Sequence, residues 1–211
     1  MNKLIVVGGG GFAKEVIWLA RDCGFNVVAV LDDNSEMHGK HVLEVPVVGG
    51  ALNWTSYKDC QFVVAIGSPR TRKIVVDKML SAGQPDFATL IHPSVIKSQS
   101  VTFSEGCIVC AGMIFTVEIN VGAHCIFNLN GTVGHECNIG SFVTVAPMAA
   151  ISGNVTLHDF VEVGTGASLR QGVTLNRGAM LGMGAVLTKD IPQFVIYAGN
   201  PAKPLKELSP I

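Results

Sequence analysis

The chain has 211 residues, 15 basic side chains against 16 acidic ones, and a hydrophobic content of 48%. That length supplies one or two domains with a buried core, and the hydrophobicity excludes a disordered chain. The balanced charge excludes a surface that draws nucleic acid or anionic lipid, so small molecules or proteins are the expected partners. No apolar run approaches the roughly 18 residues of a membrane span, and no charged leader precedes an apolar stretch; a soluble, non-secreted, cytoplasmic protein is expected.

The opening residues alternate strand and helix signals. Residues 4–7 are a short apolar strand, 8–11 are four glycines in a turn, and 13–23 carry a helical pattern with Val16, Ile17, Leu19 and Ala20 available for burial. A second strand at 27–31 ends at Asp32 and Asp33. A third, at 62–66, ends at Gly67, and a helix follows from about 71 to 80. This order predicts a parallel α/β sheet whose ligand edge holds Gly10, Gly11, Asp32, Asp33 and Gly67. Gly8, Gly10 and Ala13 fit the dinucleotide fingerprint, with Asp32 about twenty residues further on. Glycines at a helix start cradle any phosphate, however, and the α/β pattern ends after three βα units, leaving little room for a second mononucleotide half. A nucleotide sugar is therefore favoured over a nicotinamide cofactor, with a structural turn as the remaining alternative.

From Ile91 onward the grammar changes. Stepping by six from Ile91 to Leu187 lands on an apolar residue everywhere except Lys97. A second set, four residues later, includes Val101, Cys107, Met113, Cys125, Gly131, Cys137, Val143 and Ala149 and is mostly small or β-branched. Neither a helix nor an alternating strand keeps a period of six, whereas a hexapeptide β-helix does. Each hexad supplies one short strand and one corner, and three hexads make a coil. Cys107, Cys125 and Cys137 then point inward as small hydrophobes. Cys107 and Cys110 form the one CxxC spacing, but on this register they face different environments, and no metal is expected.

These features together carry a resemblance. The chain shows "VVGGGGFAKEV", "LDD", "AIGSPRTR" and "LIHPS", then an uninterrupted hexapeptide run with "IGSFVT", "VGTGAS" and "LGMGAV", and finally "GNPAKPLK". It resembles, over essentially its whole length, the hexapeptide-repeat sugar acetyltransferases that include sialic acid O-acetyltransferases and N-acetyltransferases of nucleotide-linked 4-amino-4,6-dideoxy sugars. The resemblance implies a small Rossmann-like α/β domain at 1–88 for the nucleotide sugar and a left-handed parallel β-helix at 89–211. It further implies a homotrimer with active sites between subunits and acetyl-coenzyme A lying along the prism. Gly10, Gly11, Phe12, Asp32, Asp33 and Gly67 become substrate contacts, with Asn128 a further substrate or coenzyme contact. In "GHECNIG" His135 becomes the catalytic base and Glu136 the carboxylate that raises its basicity. The family usually has histidine where this chain has Phe12, which keeps the backbone cradle but removes a side-chain hydrogen bond.

The chemistry agrees with that assignment. Transfer from a thioester to an amine needs a base, and histidine titrates near neutrality. Neighbours in an extended chain point to opposite sides, so Glu136 reaches His135 only if a corner brings the two together. His38 and His41 are expected in solvent, His92 at the entry to the prism, and His124 and His158 at polar corners. Thr144, Thr165 and Met183 are taken as equivalent outer places on successive coils, where the resemblance implies backbone contact with the pantetheine arm. Gly153 is expected to offer an oxyanion donor, and Lys203 a phosphate contact within a tail that folds back beside the coenzyme. The function expected is N-acetylation of a nucleotide-linked amino sugar. O-acetylation of a sialic acid, or a non-enzymatic nucleotide-binding assembly module, are the alternatives.

Overall fold

The computed structural model describes residues 2–211. The chain divides into two compact units, one holding residues up to 93 together with 105–108, the other 94–104 with 109–211. The first unit thus runs five residues past the expected boundary at 88. Its last segment is held by Leu90 N–H on the Cys107 carbonyl (2.8 Å), Cys23 Sγ on the Ile91 carbonyl (3.2 Å), and His92 Nε2 against Asp22 Oδ2 (3.2 Å).

The first unit contains β1 (Lys3–Val7), α1 (Gly11–Asp22), β2 (Asn26–Leu31), β3 (His41–Val42), β4 (Val45–Gly49), β5 (Gln61–Val64) and α2 (Pro69–Leu80), with 3-10 turns at Ser35–Met37 and Ala51–Ser56. The sheet order is β3-β4-β2-β1-β5; β1 runs parallel to β2 and β5, β2 parallel to β4, and β3 antiparallel to β4. Leu4 to Val7 and Phe62 to Val64 are buried, as an apolar strand covered on both faces requires. In α1, Ala13, Val16, Ile17 and Ala20 lie on one buried stripe. The helix ends in a Schellman motif: Gly24 N–H bonds the Arg21 carbonyl and Phe25 N–H the Ala20 carbonyl, both at 2.9 Å, with Gly24 at φ 80°. Helix α2 starts two residues before its expected position because Pro69 occupies its first turn, where a missing N–H costs nothing. The β3–β4 hairpin and the turn at Ala51–Ser56 fill the span between the second and third expected strands.

The second unit is a three-sided parallel β-helix whose neighbouring coils are 18 residues apart. One face stacks Ile96–Lys97, Ile114–Phe115, Thr132–Val133, Ala150–Ile151, Ser168–Leu169 and Val186–Leu187, and the next stacks Val101–Phe103, Ile119–Val121, Asn138–Ile139, Thr156–Leu157 and Thr174–Leu175. The third carries Ile126–Phe127, Thr144–Val145, Glu162–Val163 and Met180–Leu181 and ends in a hairpin of Val195–Ala198 and Lys203–Glu207. From Val109 to Leu187 every residue of the apolar hexad set is buried, and Phe103, Phe115 and Phe127 pack edge to face inside the prism. The register shortens only at the end, where Met180 pairs with Ile196 and Leu175 with Ile191.

The corners show why the period is strict. Every sixth residue from Gly106 to Gly184 has a positive φ, between 55° and 76°. Glycine holds this position at both ends of the series, but Glu118, His124, Asn130, Glu136, Phe142, Met148, Asn154 and Phe160 hold it in the middle. A side chain in the left-handed region costs roughly 1–2 kcal/mol. His124, Phe142 and Phe160 recover part of that by forming a stack with ring centroids 5.1 and 5.5 Å apart, capped by the Arg177 guanidinium 4.8 Å from the Phe160 centroid. His124, expected at a polar corner, is therefore 4% exposed: the one-coil spacing places it on an aromatic column instead of in water.

Candidate active site

A cavity of about 560 Å³ opens at the carboxyl ends of β1, β2 and β5, within the size range of small-molecule sites. Gly10, Gly11, Phe12, Asp32, Asp33 and Gly67 all line it, so the first unit brings together every residue singled out there from the sequence. Gly10 is the N-cap of α1 in an extended conformation; it makes no side-chain cap, and no acidic residue stands in the first turn. Backbone N–H groups and the positive end of the helix dipole are thus presented to an anion. The hydrophobic pattern missed Ala51, Ile74 and Val75, which form apolar wall, and Thr71. Ile74 is 67% exposed on α2, off the stripe of Arg72, Val76 and Met79, and an apolar residue in that off-stripe place is the signal that could have found it.

The two aspartates do more than face a ligand. Asp32 Oδ2 accepts from Gly9 N–H (2.6 Å), its Oδ1 from Asn34 N–H (2.8 Å), and its carbonyl meets His38 Nε2 (2.8 Å). His38 is exposed, as expected, while its ring is held against the Asp32 backbone. Asp33 Oδ1 accepts from Ala51 N–H (2.9 Å) and Oδ2 from Lys78 Nζ (2.8 Å). Partial burial pushes the Asp33 carboxyl up, but the Lys78 ammonium and the Ala51 amide outweigh it and hold the group below the usual carboxylate range. Both carboxylates fasten loops around the cavity and keep further acceptor lone pairs.

The other candidate lies on the prism. Glu136 is a left-handed corner residue with φ 59°, and this turn swings its side chain back onto its neighbour: His135 Nδ1 lies 2.9 Å from Glu136 Oε2. A flat strand would have separated them. An ionised carboxylate only accepts, so Nδ1 carries the hydrogen, and in a neutral ring Nε2 then holds the lone pair that can accept a proton. The imidazole rests on Gly153, one coil further on; a Cβ built there would collide with Nε2, Cε1 and Cδ2 of the ring. Gly153 is buried, and its amide nitrogen lies against Gly134, where a Cβ would come within 2.5 Å. In this position it forms a shelf for the imidazole. Cys137, beside the pair, is fully buried with its Sγ on the Ser152 carbonyl at 3.2 Å, and burial pushes its thiol up. It packs as a small hydrophobe and is unsuited to nucleophilic work.

The remaining residues are spread over the prism. Asn128 follows Ile126–Phe127 one face before His135, and its Oδ1 accepts from Leu129 N–H (3.0 Å). Thr165 and Met183 do occupy equivalent corners, tied by the Gly184 N–H on the Thr165 carbonyl (2.8 Å), and Met183 is 81% exposed. Thr144 does not belong with them: it sits on a flat face in a column with Glu162 and Met180, because three residues of offset move it from corner to strand. Lys203 is exposed at the start of the second strand of the terminal hairpin, pairing with Ala198 across the turn.

The family model described as PglD N-terminal domain matches residues 3–79. A UDP-N-acetylbacillosamine N-acetyltransferase of Bacillus subtilis (strain 168) is 34% identical over 116 residues, covering 53% of this chain and 52% of that protein, so the match spans about half its length. Among solved structures, a single-residue variant of perosamine N-acetyltransferase from Caulobacter crescentus, in complex with CoA and GDP-perosamine, superposes with a TM-score of 0.90 at 32% identity over 98% of both chains. The acetyltransferase domain of PglB from Neisseria gonorrhoeae FA1090, in complex with acetyl coenzyme A, gives a TM-score of 0.88 at 33% identity, covering 97% of this chain and all of that one.

Proposed function

The chain belongs to the hexapeptide-repeat sugar acetyltransferase family, with its left-handed β-helix, and from that membership we propose that it transfers an acetyl group from acetyl-coenzyme A to the amino group of a nucleotide-linked 4-amino-4,6-dideoxy sugar. The observation that carries this reading is the His135–Glu136 pair, 2.9 Å apart and seated on Gly153. His135 Nε2 takes the proton as the amine nitrogen attacks the thioester carbonyl; the new C–N bond forms, the C–S bond breaks, and the thiolate of coenzyme A leaves and is protonated. Glu136 holds the ring and stabilises the imidazolium, while Gly153 keeps the space beside it open. General base catalysis of this kind contributes roughly 10²- to 10⁴-fold.

The nucleotide sugar occupies the cavity of the first unit, its phosphates over Gly10 and Gly11, its base or ribose near Asp32 and Asp33, with Phe12 and Gly67 as walls. Acetyl-coenzyme A runs along the prism past Thr144, Thr165 and Met183, with Lys203 toward a phosphate and Asn128 toward either substrate. The working assembly is a homotrimer whose sites lie between subunits. Exposed apolar side chains on the prism, Ile96, Ile114, Val117 and Met148, supply surface for that association.

The test is release of coenzyme A from acetyl-coenzyme A with UDP-, GDP- and dTDP-linked 4-amino sugars, compared with free sialic acid. Turnover of one of the nucleotide sugars is expected. Turnover of the free sugar alone would make the protein an O-acetyltransferase, and no turnover with nucleotide binding retained would make it a binding module.

A further inference from the structure

Arg72, in the first turns of α2, is 1% exposed and ranks among the largest fully buried side chains of the chain. It does not line the nucleotide cavity, but it grips two residues that do: its Nη1 donates to the Ile66 carbonyl at 2.6 Å and to the Gly67 carbonyl at 2.9 Å. A guanidinium stays charged in a protein interior, and burying one is costly enough that an apolar side chain of similar volume often packs as well or better. Packing of α2 on the sheet therefore does not by itself account for arginine at this position.

The geometry of the turn does. The peptide unit is planar and trans, so a carbonyl and the N–H of the following residue point in opposite directions. Aiming the Ile66 and Gly67 carbonyls at Arg72 turns the amides of Gly67 and Ser68 the other way, at the positive end of α2 where Ser68 is the N-cap. It also withdraws two carbonyl oxygens from a cavity whose lining already holds the Asp32 and Asp33 carboxylates. A phosphate-bearing ligand would be repelled by two further oxygens, and it gains from a fixed cation behind the wall.

We infer that Arg72 is a positioning residue for the diphosphate of the nucleotide sugar, holding the β5–α2 turn in its anion-accepting conformation and offsetting the carboxylates of the cavity. The inference rests on the reading of that cavity as the acceptor site. It is tested on the full chain with Arg72→Met, which removes the charge, and Arg72→Lys, which keeps it but replaces the planar guanidinium with a compact, more strongly hydrated ammonium. Calorimetric titration with UDP, GDP and dTDP is expected to show at least ~10-fold weaker binding of the preferred nucleotide to Arg72→Met, the size associated with charge-assisted hydrogen bonds, with Arg72→Lys in between. The KM for the nucleotide sugar rises in step, while kcat and the KM for acetyl-coenzyme A stay within about twofold, a split that general loosening of the fold would not produce. If Arg72→Met does not fold, Arg72→Lys decides alone. Folded variants that bind nucleotide as the unsubstituted chain does, or that lose kcat and both KM values in proportion, overturn the inference. An unsubstituted chain that binds none of the three nucleotides overturns it together with the acceptor-site reading.

Discussion

The cavity of the α/β unit and the corner that carries His135 assemble their chemistry in opposite ways. In the cavity, backbone groups at the start of α1 line the wall, and the two carboxylates on the rim are largely spent on holding loops: Asp32 on Gly9 and Asn34, Asp33 on Ala51 and Lys78. At the corner, two adjacent side chains meet because one residue adopts φ 59°, and a glycine one coil away leaves room for the ring. A site built from distributed backbone contacts tolerates the loss of any one side chain, whereas a site built on one imidazole does not. Substitutions at the corner should therefore act on kcat, and substitutions around the cavity on acceptor affinity and stability.

The largest expected effect is that of His135→Ala, which should lower kcat by at least ~10² while leaving the melting temperature and acetyl-coenzyme A binding unchanged. A variant that keeps full turnover removes His135 as the base. Next, Gly153→Ala puts a methyl group where the imidazole lies; the half-exposed ring must swing away, and kcat should fall by about 10- to 100-fold with nucleotide affinity intact. Unchanged steady-state kinetics would mean that the shelf is not part of the working geometry. Glu136→Gly separates the two roles of that corner. It should lower kcat by roughly 10-fold through loss of the carboxylate. It should also raise stability by about 1 kcal/mol, because glycine relieves the left-handed conformation. Thermal melts showing a loss of stability instead would contradict the account of the corners.

The smallest effect belongs to Asp33→Asn, and its sign depends on pH. The folded-state carboxyl titrates below its unfolded value, so its stabilisation is present above the unfolded pKa and is lost as pH falls through the lowered folded pKa. The variant should be slightly less stable than the unsubstituted chain at neutral pH, since the Lys78 pair is more than one-third exposed, and the gap should close in acid. Denaturation curves at neutral and acid pH that differ by the same amount would show that the ion pair is not the source.

Much of this architecture can be read along the chain because the prism repeats itself. A single period of six puts Val133, Ile139 and Cys137 inside and leaves His135 at a turn, and the glycine loop with Asp32 and Asp33 marks the cavity edge. What resists reading is contact across coils and across turns. That His135 and Glu136 touch depends on a backbone angle, which adjacency in sequence does not reveal. That Gly153 lies beneath the imidazole emerges only from the 18-residue stack. His124 looks like a polar corner until its neighbours one and two coils away prove to be Phe142 and Phe160. Thr144 lies three residues out of register with Thr165 and Met183, and in a β-helix that offset exchanges corner for face. Arg72 is charged and sits in a helix with a weak apolar stripe, so nothing local announces that it is buried.

The central claim is most directly tested by the product of one reaction: acetyl-coenzyme A with the nucleotide-linked 4-amino sugar that the protein binds best, analysed by mass spectrometry and NMR. The account predicts an amide at the sugar's 4-amino group on an otherwise intact nucleotide sugar. An ester on a sugar hydroxyl, or an unmodified acceptor after prolonged incubation, would contradict it.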